Sequence, residues 1–103
     1  MGKTRSYRET LKETLADPED AAEYLNAALE ESDPAAFLLA LKDVADVHGG
    51  LAKIADTAEL NRENLYRMLS ESGNPRISSL NAILQAVGLR LSIAPEKSRR
   101  SAA

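Results

Sequence analysis

Cysteine is absent from the 103 residues, which excludes disulfides, thiolate metal sites and thiol nucleophiles and fits a reducing compartment. The single histidine, His48, has no second imidazole with which to build a metal centre. In the last turn of a helix it reads as an ordinary carboxyl-end residue rather than a ligand or a general base. Tryptophan is missing and there is one phenylalanine, so the core must be made of Leu, Ala, Ile and Val, a mixture that favours helices. No apolar run approaches the roughly 20 residues that span a bilayer, and the start "MGKTRSYRET" lacks the apolar centre of a secretory signal. The expected location is the cytoplasm, away from membranes. There is no glycine loop of the phosphate-cradling kind, and carboxylates pair only at solvated helix starts. Enzyme activity and a bound cofactor or metal are therefore not expected. The length suits one domain, with residues 17–95 as its body, 1–16 as an amino-terminal arm and 96–103 as a disordered basic tail.

What is present is charge, unevenly distributed. The net charge of −3 hides a division along the chain. Residues 1–8 carry Lys3, Arg5 and Arg8, residues 9–46 hold eleven acids against Lys12 and Lys42, and residues 47–103 hold eight bases against five acids. Such asymmetry predicts two working surfaces, a basic one able to meet phosphate and an acidic one able to meet a basic partner. The plainer alternative is that the acidic half is a solvated face.

Proline and glycine mark the boundaries. Asp17 caps and Pro18 opens a helix over about 18–31, with Glu19 and Asp20 complementing the dipole of its first turn. Its apolar stripe is Ala22, Leu25, Ala28 and Leu29, with Ala21 and Tyr24 at the margin. Asp33 and Pro34 repeat the device for a second helix, whose Phe37, Leu38, Leu41, Val44 and Ala45 predict a central buried position before Gly49 and Gly50 stop it. Farther on, Ser78 is the expected cap of a helix with Leu80, Ile83, Leu84 and Val87 inward, ended by Gly88.

Between these lies "LAKIADTAELNRENLYRML", residues 51–69. Leu51, Ile54 and Ala55 have helical spacing, Leu60 stands alone, and Asn61 caps a second short helix with Leu65, Met68 and Leu69 inward. Neither helix is long enough to be stable by itself, so both must rest on a larger core. A joint of so few residues sends them off at roughly 90–120°, the geometry of a helix-turn-helix. With that inner face, Glu63 and Arg67 point outward, Tyr66 and Ser70 flank them and Arg62 lies near the exposed amino end. Arg can grip a guanine edge or a phosphate, Glu can accept from a cytosine amino group and Asn64 can address adenine, while the helix amino end adds donors for phosphate. The alternative is a helix pair used only for packing, with a soluble outer surface.

Taken together, "YL" at 24–25, "AL" at 40–41, "LNRENLYRML" at 60–69, "GNPRISSL" at 73–80 and "VGLRLSI" at 87–93 resemble the lambda-repressor-like (Cro/Xre-type) DNA-binding fold over about residues 7–95. More narrowly, they resemble the "addiction module antidote" family, the HigA-like antitoxins encoded with RelE/ParE-type toxins. The resemblance implies an all-α, five-helix domain that represses its own operon through operator DNA and neutralises a small basic toxin by direct binding. By the family pattern the recognition helix falls on 61–69, with Arg62, Glu63, Asn64, Tyr66 and Arg67 as DNA contacts and Asn61 at its start. The supporting helix falls on 51–57, where Lys53 reaches phosphate, as do Asn74 and Arg76 in the following loop. Two positions depart from the pattern. Glu59 stands where glycine is usual in the turn, at a cost of about 1 kcal/mol if the left-handed conformation is kept. Leu51 and Ala52 replace the glutamine that often contacts DNA.

"LRLSI" at 89–93 alternates Leu89, Leu91 and Ile93 with Arg90 and Ser92, the period of a short carboxyl-terminal β-strand. A lone strand must pair with its own copy across a two-fold axis or join a partner's sheet. A homodimer through 89–93 is the expectation, which would set two recognition helices about one DNA turn apart. The alternative is a segment lying extended over the core. Two further functions stay open: a stand-alone helix-turn-helix regulator without a toxin, and a helical adaptor that does not bind DNA.

Overall fold

The computed structural model describes residues 7–70 and 72–96. The outer part of the expected arm, 1–6, and the tail beyond 96 lie outside the described residues. Secondary structure among the described residues is helical: α1 (Tyr7–Leu15), α2 (Pro18–Leu29), α3 (Pro34–Val47), α4 (Gly50–Ala58), α5 (Arg62–Met68) and α6 (Ile77–Ala86). None of these helices is long and apolar enough to cross a membrane.

The expected count of five helices is one short. The addition is α1, in the stretch read as an arm, and Leu15 at its end is fully buried. The helix packs on both α2 and α3, and the carbonyl of Leu15 lies 3.4 Å from His48 Nε2 at the end of α3. The second contact of α2 also rotates its inner face. Ala21, Leu25 and Ala28 are buried, while Leu29, expected inside, is 59% exposed.

Helix starts follow the local chemistry. Asp17 accepts from Glu19 N at 2.8 Å, and Asp33 accepts from Ala35 N at 3.0 Å, each satisfying a first-turn donor that has no partner within the helix. The expected cap at Ser78 is not used. Ile77 opens α6 and Arg76 is its cap residue, without a side-chain hydrogen bond. The ladder begins from the Arg76 carbonyl, which accepts from Leu80 N at 2.9 Å.

The core is built around α3, whose Leu38, Ala40, Leu41, Val44 and Ala45 are buried. Helices α1, α2 and α4 pack on it, and α4 in turn carries α5 and α6. Ile54 and Ala55 of α4, Leu65 and Leu69 from the α5 region, and Ile83, Leu84 and Val87 from the α6 region complete the same cluster. Burying each large aliphatic side chain contributes about 1.5–3 kcal/mol, so short helices unable to stand alone hold their places through one shared interior. On the partly buried side, Tyr24 OH donates to Asp43 Oδ2 at 2.8 Å and ties α2 to α3.

The expected carboxyl-terminal strand does not form, and residues 89–96 make no ladder among the described residues. Gly88, at φ +83°, reverses the chain at the end of α6, a conformation that favours glycine. Leu89 N then donates to Leu84 O at 2.8 Å and its side chain packs against the core. Leu91 is 44% exposed and Ile93 98% exposed. The alternation of apolar residues therefore does not mark a buried face. One side chain packs against the core and the rest of the segment, residues 90–96, is exposed and without regular secondary structure, which gives the expected strand-paired homodimer no support.

Candidate functional site

The joint between α4 and α5 sets the geometry of the site. Glu59 adopts a left-handed conformation, φ 60° and ψ 45°. Its N–H donates to Asp56 O at 3.2 Å, and Leu60 N donates to Ala55 O at 2.8 Å. This paired pattern closes a helix whose next residue is left-handed. It satisfies the last carbonyls of α4 and turns the chain abruptly. Leu60 packs against the core, and Asn61 starts α5 by accepting from Asn64 N at 3.0 Å.

Two residues lock the inner face of α5: Leu65 is fully buried and Leu69 nearly so, with Met68 partly covered. The other side is open. Arg62, Glu63, Asn64, Arg67 and Ser70 are exposed, and Tyr66 is 50% exposed. Arg67 Nη1 donates to Asn64 Oδ1 at 3.3 Å, and its other guanidinium donors meet no acceptor among the described residues. Ser70 Oγ donates to the carbonyl of Arg67 at 2.8 Å, which caps the helix end below that arginine.

Beside α5 lies an open cleft of about 520 Å³, lined on its polar side by Asn61, Asn64, Arg67, Asn74, Arg76 and Ser79. The fold thus draws five of the nine candidate residues, from α5 and the loop that follows it, onto one concave surface. Its two guanidinium groups place several N–H donors on that surface. Asn61 uses its Oδ1 as the cap, so its amide N–H groups are what it can offer outward. Lys53, Arg62, Glu63 and Tyr66 do not line this cleft. Lys53 is exposed on α4 with its side chain along Gly49, where an added Cβ would come within 2.6 Å of Lys53 Cδ. Tyr66 instead borders a smaller hollow of about 360 Å³ together with Lys42, Leu51 and Ser70.

Ser79 and Lys42 were not among the sequence candidates. Ser79 follows Arg76 by one helical turn, a signal obscured by the expectation that Ser78 caps the helix. Lys42 belongs to a distant stretch of chain, and only the fold, in which α3 and α5 both pack on α4, brings it near Tyr66.

Gly73 shapes the loop that carries Asn74 and Arg76. A Cβ there would overlap the Met68 carbonyl oxygen and come within 2.9 Å of that of Arg67, so the bare backbone lets the loop press against the end of α5. Its N–H donates to Ser70 O at 2.8 Å, which holds the two walls of the cleft together.

Residues 7–95 match the family described as "Probable addiction module antidote protein". An uncharacterized protein of Haemophilus influenzae (strain Rd) is 33% identical over 81 residues, which cover 79% of this chain and 82% of that protein. No solved structure matches the chain. The family match runs from the start of α1 to beyond the end of α6 and so takes in the whole shared core, not the α4–α5 pair alone; the chain belongs to the family of probable addiction module antidote proteins.

Proposed function

We propose that the protein is a DNA-binding antitoxin of a type II module, which represses its own operon through α4–α5 as a helix-turn-helix and neutralises a RelE/ParE-type toxin by direct binding. The observation that carries the DNA half of this reading is the open face of α5 beside a cleft holding both Arg67 and Arg76. In this reading α5 enters the major groove, where Arg62, Glu63, Asn64, Tyr66 and Arg67 face base edges and backbone. Arg76, Asn74 and Lys53 take phosphates, with Asn61 donating from its free amide N–H groups. Contacts to phosphate position the domain and contacts to bases specify the site. The buried Leu65 and Leu69 make α5 a rigid reading element, which limits the ordering entropy lost on binding. Family membership supports the toxin half, since an antidote requires something to neutralise.

The test is a titration of the DNA upstream of the coding region, carried out at two salt concentrations. Binding should weaken steeply with salt, because phosphate contacts release counterions. Arg67→Ala should reduce affinity by about 1–3 kcal/mol and leave the thermal midpoint nearly unchanged, since its side chain is exposed. Equal affinity of the variant and the native protein would remove Arg67 from the interface.

A further inference from the structure

A second concavity runs along α2 and adjoins the cleft at Asn74. One part, about 550 Å³, lies between α2 and the segment after Gly88, with Leu25, Phe37, Leu84 and Leu89 in its walls. A second part, about 390 Å³, continues it toward Pro34, Leu38 and Leu80. Leu29 and Phe37 line both parts. Leu29, at 59% exposed, is thus a large aliphatic side chain standing at the middle of an apolar trough. A soluble surface shows such a feature most often where another protein sits.

The edge of the trough carries charge of one sign. Glu19, Glu23, Asn26 and Glu30 follow helical spacing and form a single stripe. Asn26 lines the trough, so the three glutamates, all exposed, flank it along the length of α2, a helix without a basic residue. Asp33 lines the second part, and Arg90 on the opposite lip is the cation among the lining residues of the first.

We infer that this trough is the docking surface for the toxin, and that it takes a basic segment of that protein bearing aliphatic side chains. The inference rests on the antitoxin reading. Charge decides between this occupant and a second copy of the chain. An isologous two-fold contact lays one patch on its own image, which would set one row of glutamates against another, whereas a basic partner answers both the carboxylates and the apolar floor. Asn74 lines both the trough and the cleft, whereas Arg67 and Arg76 line the cleft and not the trough, so the two surfaces adjoin at that one loop residue.

The experiment measures binding of the full chain to the purified product of the adjacent reading frame. Compared with the native protein are Leu29→Gln, which removes the apolar centre, and the double substitution Glu19→Lys with Glu23→Lys, which reverses the rim. Each should weaken toxin binding at least about tenfold, and the double variant should also flatten its salt dependence. Circular dichroism and operator binding should stay as in the native protein, while Arg67→Ala should leave toxin affinity unchanged. If the native chain binds the toxin and both variants bind it equally well, the trough is not the surface and the antitoxin reading survives. If the native chain does not bind the neighbouring product, that reading fails and this inference with it. Conversion of a native dimer to a monomer by Leu29→Gln would mean that a second copy occupies the trough, which overturns the inference.

Discussion

Glu59 holds a left-handed conformation at the point where α4 gives way to α5, with its Cβ close to the following carbonyl oxygen. For a residue other than glycine this costs about 1 kcal/mol. The cost is sustained because Leu60 is packed in the core and the last carbonyls of α4 need the donors that this turn supplies. Glu59→Gly should therefore raise stability by about 1 kcal/mol, a rise in thermal midpoint of about 4–8 °C for a domain of this size. An unchanged or lower midpoint in a thermal melt would show that the glutamate side chain contributes an interaction that outweighs its backbone strain. The position was open to prediction only through the family resemblance, whose pattern sets a turn glycine where Glu59 stands. Gly73 was not legible in the same way. It reads as loop punctuation, and only the folded chain shows the carbonyl oxygens of Arg67 and Met68 pressed where a Cβ would stand.

At the scale of elements, legibility followed the amount of buried apolar surface. The long face of α3 and the inward set of α5 could be read directly from spacing, because Leu41, Val44, Leu65 and Leu69 recur at helical intervals and are buried. Helix α1 has only Leu11 and Leu15 in nine residues, YRETLKETL, too few to display a period. Its place is decided by what Leu15 meets on α2 and α3. "LRLSI" erred in the opposite direction, since alternation sorts side chains onto two sides but a ladder needs a second strand, which the described chain does not supply. The candidate site was legible on α5 and incomplete beyond it, because the cleft depends on how a loop returns against the helix. Arg76 illustrates the competition there. As the cap residue of α6 it makes no side-chain hydrogen bond, although Asp would satisfy a first-turn donor and favour the positive end of the helix. Arg76→Asp should thus stabilise the fold by about 0.5–1 kcal/mol while weakening operator binding, as a cation facing phosphate becomes an anion. Thermal melts and DNA titrations on the same sample read both effects. Operator affinity that holds or rises would place Arg76 away from the DNA.

The molecule as a whole divides its charge by region, with acids concentrated on α1–α3, while from residue 47 to residue 96 five bases are matched by five acids. The acidic part contains the hydrogen bond from Tyr24 to Asp43 that links α2 to the central helix. Burial pushes the Tyr24 hydroxyl from its ordinary value of 10.0 up to about 12, and its bond to Asp43 and that carboxylate's charge push in the same direction. A group whose folded value is raised lends stability that is fully present below the unfolded value and is lost as pH rises through the folded one. The contribution of Tyr24 is therefore intact below pH 10 and disappears between 10 and 12. A small single domain unfolds cooperatively, so this local bond acts on the global midpoint. Tyr24→Phe should lower stability at neutral pH by about 1–2 kcal/mol, the usual loss when a charged acceptor is deprived of its donor. Between pH 10 and 12 the midpoints of variant and native protein should converge, because the native chain loses the same bond on ionisation. Lysine titration, common to both proteins, cancels in the difference. A gap that stayed constant across that range would mean that the hydroxyl keeps its proton by some other arrangement, and that the link between α2 and α3 does not depend on it.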